Sequence, residues 1–137
     1  MTDMQNIPTR RCSASGRSSG QFAGRPAQVL VDDETLYAEL VYKAAGVVGA
    51  IGPWNWPLMI AIWQIIPALR AGNTVVIKPS EYTSIGTLEM VRLISAALPP
   101  GVLNIVNGYG RDAGMALASS KRIAKIAFTG STATGRV

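Results

Sequence analysis

From residue 45 onward, short apolar segments alternate with longer segments of helical periodicity, and this alternation limits the fold more than any other feature. Predicted strands span 46–51, 74–77, 102–106 and 123–128, predicted helices span 57–71, 84–98 and 111–119, and residues 129–135 should begin another helix. Such alternation with short loops is typical of a parallel sheet wound by right-handed crossovers. We therefore predict an α/β fold with a parallel sheet of about four strands and flanking helices.

The chain divides into two unequal parts. Residues 1–28 are rich in Ser, Gly and Arg and poor in large apolar side chains, so they cannot bury enough surface to offset the entropy of ordering. We predict a disordered or unrelated tail over 1–28 and one domain over 29–137. Residues 36–43 could form a strand or a helical turn. In the helix at 84–98, the apolar stripe Ile85, Leu88, Val91 and Ile94 or Leu98 should face the core.

Composition excludes several classes of function. The net charge is +5, but four arginines against one aspartate give +3 within residues 1–28, and no aromatic-rich basic face accompanies them, so we expect no nucleic-acid partner. The chain has no histidine, the usual metal ligand, and we expect no metal site. No apolar run approaches the roughly 20 residues of a membrane span. The single cysteine, Cys12, cannot form an intrachain disulfide, which favours the cytoplasm; we expect it to be an inert thiol.

The segment 52–57, Gly-Pro-Trp-Asn-Trp-Pro, joins the first strand to the first helix. Pro57 suits the first helical position, where no backbone N–H is missed. Asn55 therefore lies beyond the carboxyl end of a strand, where open α/β sheets place their ligands. Asparagine is also a common helix cap. The hexapeptide alone leaves both roles open, a cap and a functional amide.

Each predicted strand is followed by polar residues or glycines, at 53–55, 78–81, 107–110 and 129–135. In a parallel sheet these four clusters lie at one edge. Lys78 offers a compact donor for ribose hydroxyls or phosphate. Glu81 would accept from ribose hydroxyls and repel a phosphate. The alternative is a Lys78–Glu81 ion pair at the surface, which contributes at most about 1 kcal/mol.

The segment 130–136 is not a Walker A loop, because Arg136 and Val137 replace the lysine and the Ser or Thr of that motif. It does not match the Gly-x-Gly-x-x-Gly dinucleotide motif either. A helix that begins here would still present backbone N–H groups, with Ser131 as a further donor, to a pyrophosphate.

Four blocks together resemble the aldehyde dehydrogenase superfamily: residues 47–57, 72–81, 99–104 and 128–132. Their order and spacing match from about residue 45 to 137, some two-thirds of the chain. The resemblance implies an aldehyde dehydrogenase-like, partial Rossmann-like domain that binds NAD. It is similar to the acetaldehyde-type branch, with an aldehyde oxidised to a carboxylic acid.

The resemblance also implies residue roles. Asn55 matches the asparagine whose amide stabilises the oxyanion of the thiohemiacetal intermediate. Lys78 and Glu81 match the residues at the adenosine ribose, and a glutamate there favours NAD over NADP. The implied cofactor-binding residues are Ile51, Gly52, Pro53, Trp54, Lys78, Ser80, Glu81, Gly110, Gly114, Phe128, Gly130, Ser131 and Gly135.

The family's nucleophilic cysteine and its general-base glutamate have no match in residues 45–137, and Cys12 precedes every matched block. We therefore expect a fragment of an NAD-dependent aldehyde dehydrogenase that is inactive alone. Two alternatives stay open. One is a stand-alone nucleotide-binding module, and the other is an interaction module that pairs a sheet edge with another chain, such as a full-length homologue or a second copy.

Overall fold

The structure is a computed structural model that describes residues 27–136. Cys12 and nearly all of the predicted tail at 1–28 lie outside these residues. The strands are β1 Gln28–Asp32, β2 Tyr37–Leu40, β3 Val47–Ile51, β4 Thr74–Lys78, β5 Leu103–Ile105 and β6 Lys125–Phe128. The helices are α1 Pro57–Arg70, α2 Ser84–Ser95 and α3 Met115–Ser119, with a π-helical turn at Gly110–Gly114 and a 3-10 turn at Thr134–Arg136.

The predicted parallel sheet is confirmed. Its four strands lie in the order β5-β4-β3-β6, and every neighbouring pair is parallel. Ile51 at the end of β3 is in register with Lys78 on one side and Phe128 on the other. The carboxyl ends of these three strands, and the loops that follow them, therefore share one edge.

The core lies between the sheet and helices α1 and α2. Ala61, Ile65 and Leu69 recur at four-residue spacing along the buried side of α1. They pack with Val91 of α2 and with alternate residues of three strands: Val48, Ala50, Val75, Ile77 and Leu103. The opposite face of the sheet is covered near Gly49 by Leu117 of α3, so helices flank both faces.

Residues 28–40 form an antiparallel hairpin of β1 and β2, separate from the main sheet. The open prediction for 36–43 is thereby resolved as a strand, at Tyr37–Leu40. Asp33 closes the hairpin turn, because its carboxylate accepts from the backbone N–H groups of Thr35 and Leu36. Strand β1 begins at Gln28, one residue inside the segment that we predicted as a tail.

The predicted buried stripe of α2 was wrong at its first residue. Ile85 is 82% exposed, whereas Thr87 and Val91 are buried. The neighbouring Gly86 has no side chain and lies against Leu58 of α1, where a Cβ would be 3.6 Å from Leu58 Cδ2. Because Thr87 and Val91 face the core, Ile85 lies toward the outer side of α2.

Several boundaries also differ from the prediction, among them the start of β6, which is at Lys125 and not at 123. Helix α2 ends at Ser95 and not at 98, and β5 is limited to three residues. The predicted helix at 111–119 begins as a π-helical turn before α3. Gly72 has φ 80° just after α1, as expected of a left-handed residue at a helix end.

Candidate functional site

The candidate site is the edge at which β3, β4 and β6 end. The backbone N–H of Gly52 donates to the carbonyl of Lys78 at 3.0 Å, and that of Thr129 donates to the carbonyl of Ile51 at 3.1 Å. These bonds extend the strand pairing by one residue into the loops. They bring the turn around Asn55, the Lys78 segment and the glycine loop at 129–135 side by side.

Asn55 is exposed in the turn between β3 and α1. The cap position of α1 belongs to Trp56, so the interpretation of Asn55 as the helix cap is wrong. Trp56 has φ 56° and ψ 46°, a left-handed conformation that costs a non-glycine residue about 1–2 kcal/mol. Strained backbone of this kind persists where the surroundings hold it and is concentrated at functional sites.

Lys78 is the last residue of β4, and it is 1% exposed. Its Nζ donates to the carbonyl of Pro79 at 2.6 Å and lies 3.5 Å from Oε2 of Glu81. The aliphatic stem packs against Gly114, where a Cβ would be 3.7 Å from Lys78 Cδ. The Lys78–Glu81 pair therefore exists, but it is not the surface pair of the alternative interpretation, because the ammonium is buried.

Glu81 carries a negative charge over a wide pH range. Its own backbone N–H, followed by the Lys78 ammonium, lowers the pKa of the carboxyl below the ordinary value of 4.5, against an opposing effect of partial burial. Ser80, between them in the chain, is buried, and its hydroxyl accepts from the backbone N–H of Tyr82 at 3.3 Å. A fixed ammonium with three donors and an ionised carboxylate thus stand side by side at the edge.

The loop after β6 is shaped by the ring of Phe128. A Cβ on Gly130 would lie 2.5 Å from Phe128 Cζ, and one on Gly135 would lie 3.2 Å from Cε1. Ser131 stands between these glycines and caps the 3-10 turn, because its hydroxyl accepts from the backbone N–H of Thr134 at 3.2 Å. The predicted helix at 129–135 is present only as this turn.

The remaining predicted cofactor-binding residues differ in burial and in their distance from the sheet edge. Gly110 is exposed at the start of the π-helical turn, and Gly114 is buried at its end beside Lys78. Pro53 is half-buried and Trp54 is exposed in the Asn55 turn. The structure thus gathers the β3, β4 and β6 residues directly, and it links Gly114 to them through Lys78.

The sequence analysis did not identify Gln64 of α1 as part of this edge. Its side-chain Nε2 donates to the carbonyl of Ile51 at 3.2 Å and to Oγ1 of Thr129 at 3.3 Å. The available signal was a lone amide within a helix that is otherwise apolar from Pro57 to Leu69.

A groove of about 580 Å³ lies elsewhere, between α2 and β5. None of the predicted site residues lines it. Within residues 27–136 there is no group of three or more carboxylate, thiol or imidazole side chains that could hold a metal ion. No helix in the same residues has both the length and the apolar character needed to cross a bilayer.

A parallel sheet with helices on both faces and polar loops at its carboxyl edge defines a Rossmann-like α/β domain. The chain belongs to the aldehyde dehydrogenase family, whose sequence model matches residues 12–137. That match begins within the segment at 1–28 that we expected to lie outside the family. Whether that segment is ordered stays a prediction.

Similar proteins carry several substrate names. An aldehyde dehydrogenase of Rhodospirillum rubrum is 59% identical over 105 residues, which are 77% of this chain and 21% of that protein. An acetaldehyde dehydrogenase of Pseudomonas aeruginosa is 57% identical over the same shares. A long-chain-aldehyde dehydrogenase of Acinetobacter sp. is 55% identical over 107 residues, 78% of this chain and 21% of that protein. The chain spans about a fifth of the length of these relatives.

Two similar solved structures are complexes with a dinucleotide. PnpE in complex with nicotinamide adenine dinucleotide is 51% identical, with a TM-score of 0.76 over 80% of this chain and 23% of that one. The NAD⁺ complex of an aldehyde dehydrogenase from Bacillus cereus is 39% identical, with a TM-score of 0.77 over 82% of this chain and 23% of that one.

Proposed function

We propose that this chain forms part of the NAD-binding domain of an NAD-dependent aldehyde dehydrogenase that oxidises an aldehyde of the acetaldehyde type to a carboxylic acid. The observation that carries the proposal is the 51% identity and shared fold with an NAD-bound crystal structure over 80% of the chain. We place the protein in the cytoplasm, because its single cysteine fits a reducing compartment.

The residues at the sheet edge suit NAD. The Lys78 ammonium has three N–H groups and donates to two acceptors, the Pro79 carbonyl and the Glu81 carboxylate, which leaves one N–H for a ribose hydroxyl. Glu81 supplies an ionised acceptor for the same sugar, and its charge would repel the 2′-phosphate of NADP. We assign the pyrophosphate to the loop at 130–135, and the other implied residues, among them Gly110 and Gly114, to the groove around the dinucleotide. The bound cofactor would accept the hydride.

Asn55 is the one catalytic residue that we assign within residues 27–136. Its exposed amide can donate to a developing oxyanion, and one such donor typically contributes about 10²–10³ in rate. The described part contains no cysteine, and the only one in the sequence is Cys12. We propose that the isolated 137-residue chain does not oxidise aldehydes.

Calorimetric titration of NAD and NADP into the chain tests cofactor binding. We expect NAD to bind more tightly than NADP, and Lys78→Met to weaken NAD binding. Lys125→Met is the matched control, because Lys125 is exposed at the opposite end of β6 and carries the same charge. Equal affinities of wild type and Lys78→Met would contradict the assignment.

A spectrophotometric assay with acetaldehyde and NAD tests the second part of the proposal. No NADH should accumulate with the isolated chain, because residues 27–136 contain no cysteine that could act as the nucleophile. Sustained turnover by the purified chain would disprove its inactivity.

A second candidate function is pairing with another chain, either a full-length homologue or a second copy. It is favoured by the outer strands β5 and β6, which have no neighbour on one side within the described residues. Unpaired strands present free N–H and C=O groups. Sedimentation of the chain alone and with a full-length homologue tests this function. A chain that stays monomeric and does not bind the homologue would exclude pairing.

A further inference from the structure

Gln64 connects the two loops that flank the edge. Its Nε2 donates both to the Ile51 carbonyl, at the end of β3, and to the Thr129 hydroxyl, just after β6. The Ile51 carbonyl also accepts from the Thr129 N–H at 3.1 Å. Three elements, α1, β3 and the loop after β6, therefore meet at one group of hydrogen bonds.

The hydrogen bond from Gln64 to Ile51 closes a loop in the chain. Residues 52–56 lead from Ile51 through the Asn55 turn into α1, and Gln64 returns from the second turn of α1 to Ile51. The strained Trp56 lies inside this closed loop. A strained left-handed residue persists where the surrounding structure restrains the chain on both sides of it. The hydrogen bond from Gln64 to Ile51 supplies such a restraint, because it joins the segment before Trp56 to the helix after it.

Only the donor side of the Gln64 amide is used. Oε1 is buried and has no hydrogen-bond partner among the described residues. Burying an unpaired acceptor lowers the stability of the folded protein, which suggests that the amide is kept for its two donors. Reversing the amide would place its oxygen against the Ile51 carbonyl, two acceptors facing each other. The Ile51 carbonyl thus fixes the orientation that the structure gives.

We propose that Gln64 is a positioning residue that sets the Asn55 turn relative to the Gly130–Ser131 loop through its two hydrogen bonds. Its hydrogen bonds go to the Ile51 carbonyl and the Thr129 hydroxyl, and not to Asn55 itself. Its effect on cofactor affinity rests on the proposed function, whereas its effect on the two loops does not.

The test compares Gln64→Glu, which keeps the shape and loses both donors, with Gln64→Met, which removes the polar atoms. Asn104→Asp is the matched control, because the exposed Asn104 amide also donates to a backbone carbonyl, that of Gly101 at 2.7 Å, outside the edge. Thr129→Val and Thr129→Ser form a second pair, since only serine keeps the hydroxyl. All five are compared by NMR and by NAD titration.

We expect both Gln64 variants to shift the backbone resonances of residues 52–56 and 129–131 together, and Asn104→Asp to leave them unchanged. For the Thr129 pair the resonances of residues 52–56 decide, because any substitution at 129 shifts its own neighbours: Thr129→Val should move them and Thr129→Ser should not. Loss of the hydrogen bonds should raise the NAD dissociation constant roughly two- to tenfold. Should Gln64→Glu fail to fold, the Thr129 pair decides the question.

The two proposals fail in different ways. If the wild type does not bind NAD, the proposed function fails, and the resonances still decide the role of Gln64. If the wild type binds NAD and the folded variants keep both the resonances and the dissociation constant of the wild type, the role of Gln64 is refuted. A change in stability alone, without movement of the two loops, also refutes it.

Discussion

At the scale of single residues, the ring of Phe128 explains two glycines of the loop after β6. A Cβ on Gly130 would meet three ring atoms at 2.5, 3.1 and 3.3 Å, and Gly135 lies against the same ring. The absence of side chains at these positions therefore has a packing cause, independent of any ligand. The same absence leaves the backbone of the loop accessible, as a phosphate site requires.

Gly130→Ala should destabilise the protein by about 1 kcal/mol, because the half-exposed ring has to swing away from the new methyl group. Chemical denaturation measures the free energy of unfolding. Gly110→Ala is the control, since no atom lies within 4 Å of its Cβ position. Equal losses in the two variants would contradict the packing explanation.

The lowered pKa of the Glu81 carboxyl predicts that the stability of the protein depends on pH. Because its pKa is lower in the folded protein than the ordinary 4.5, its stabilising contribution is complete above that pH and is lost as the pH falls through the lowered value. We expect the difference in unfolding free energy between wild type and Glu81→Gln to shrink from pH 6 to pH 3. A difference that stays constant over this range would show that the ionised carboxylate is not the stabilising form.

At the scale of elements, the sequence predicts the strands, and it predicts the buried side of helix α2 only in part. Apolar β-branched runs such as 74–77 specify buried strands directly. In helix α2 the predicted stripe is right at Val91 and wrong at Ile85, because the extent of the core along the helix depends on contacts that form only in the folded protein. Gln64 was likewise not identified as a site residue, because a lone amide in an apolar helix does not reveal its partners Ile51 and Thr129, which are distant in sequence.

Gly49 and Gly86 give opposite predictions at this scale. A Cβ on Gly49 would lie 2.6 Å from Ile126 Cδ1 and 3.2 Å from Leu117 Cγ, so Gly49→Ala should displace the Ile126 side chain, press on Leu117 of α3 and cost about 1–3 kcal/mol. Gly86→Ala makes only ordinary contact with Leu58 and should gain up to about 1 kcal/mol from helix propensity. Thermal unfolding of both variants measures the effects, and a stabilised Gly49→Ala protein would refute the close packing of α3.

At the scale of the whole molecule, the fold is a small sheet with a well-formed core and a large exposed apolar surface. The outer side of α1 exposes Leu58, Ile62, Trp63 and Ile66, and the hairpin exposes further apolar residues. The part of the chain that matches its relatives covers only 21% of their length. The ends of β3, β4 and β6 are nevertheless joined to one another by backbone hydrogen bonds, which is why we propose that the chain binds NAD by itself.

The most direct test of this account is an NMR titration of the chain with NAD, which locates the ligand as well as detecting it. We predict that the largest shifts fall on Lys78, Glu81 and the loop at 129–135, with smaller shifts in the Asn55 turn. The groove between α2 and β5 should be unaffected. Saturable shifts confined to that groove, or no shifts at millimolar NAD, would contradict the assignment of the sheet edge as the cofactor site.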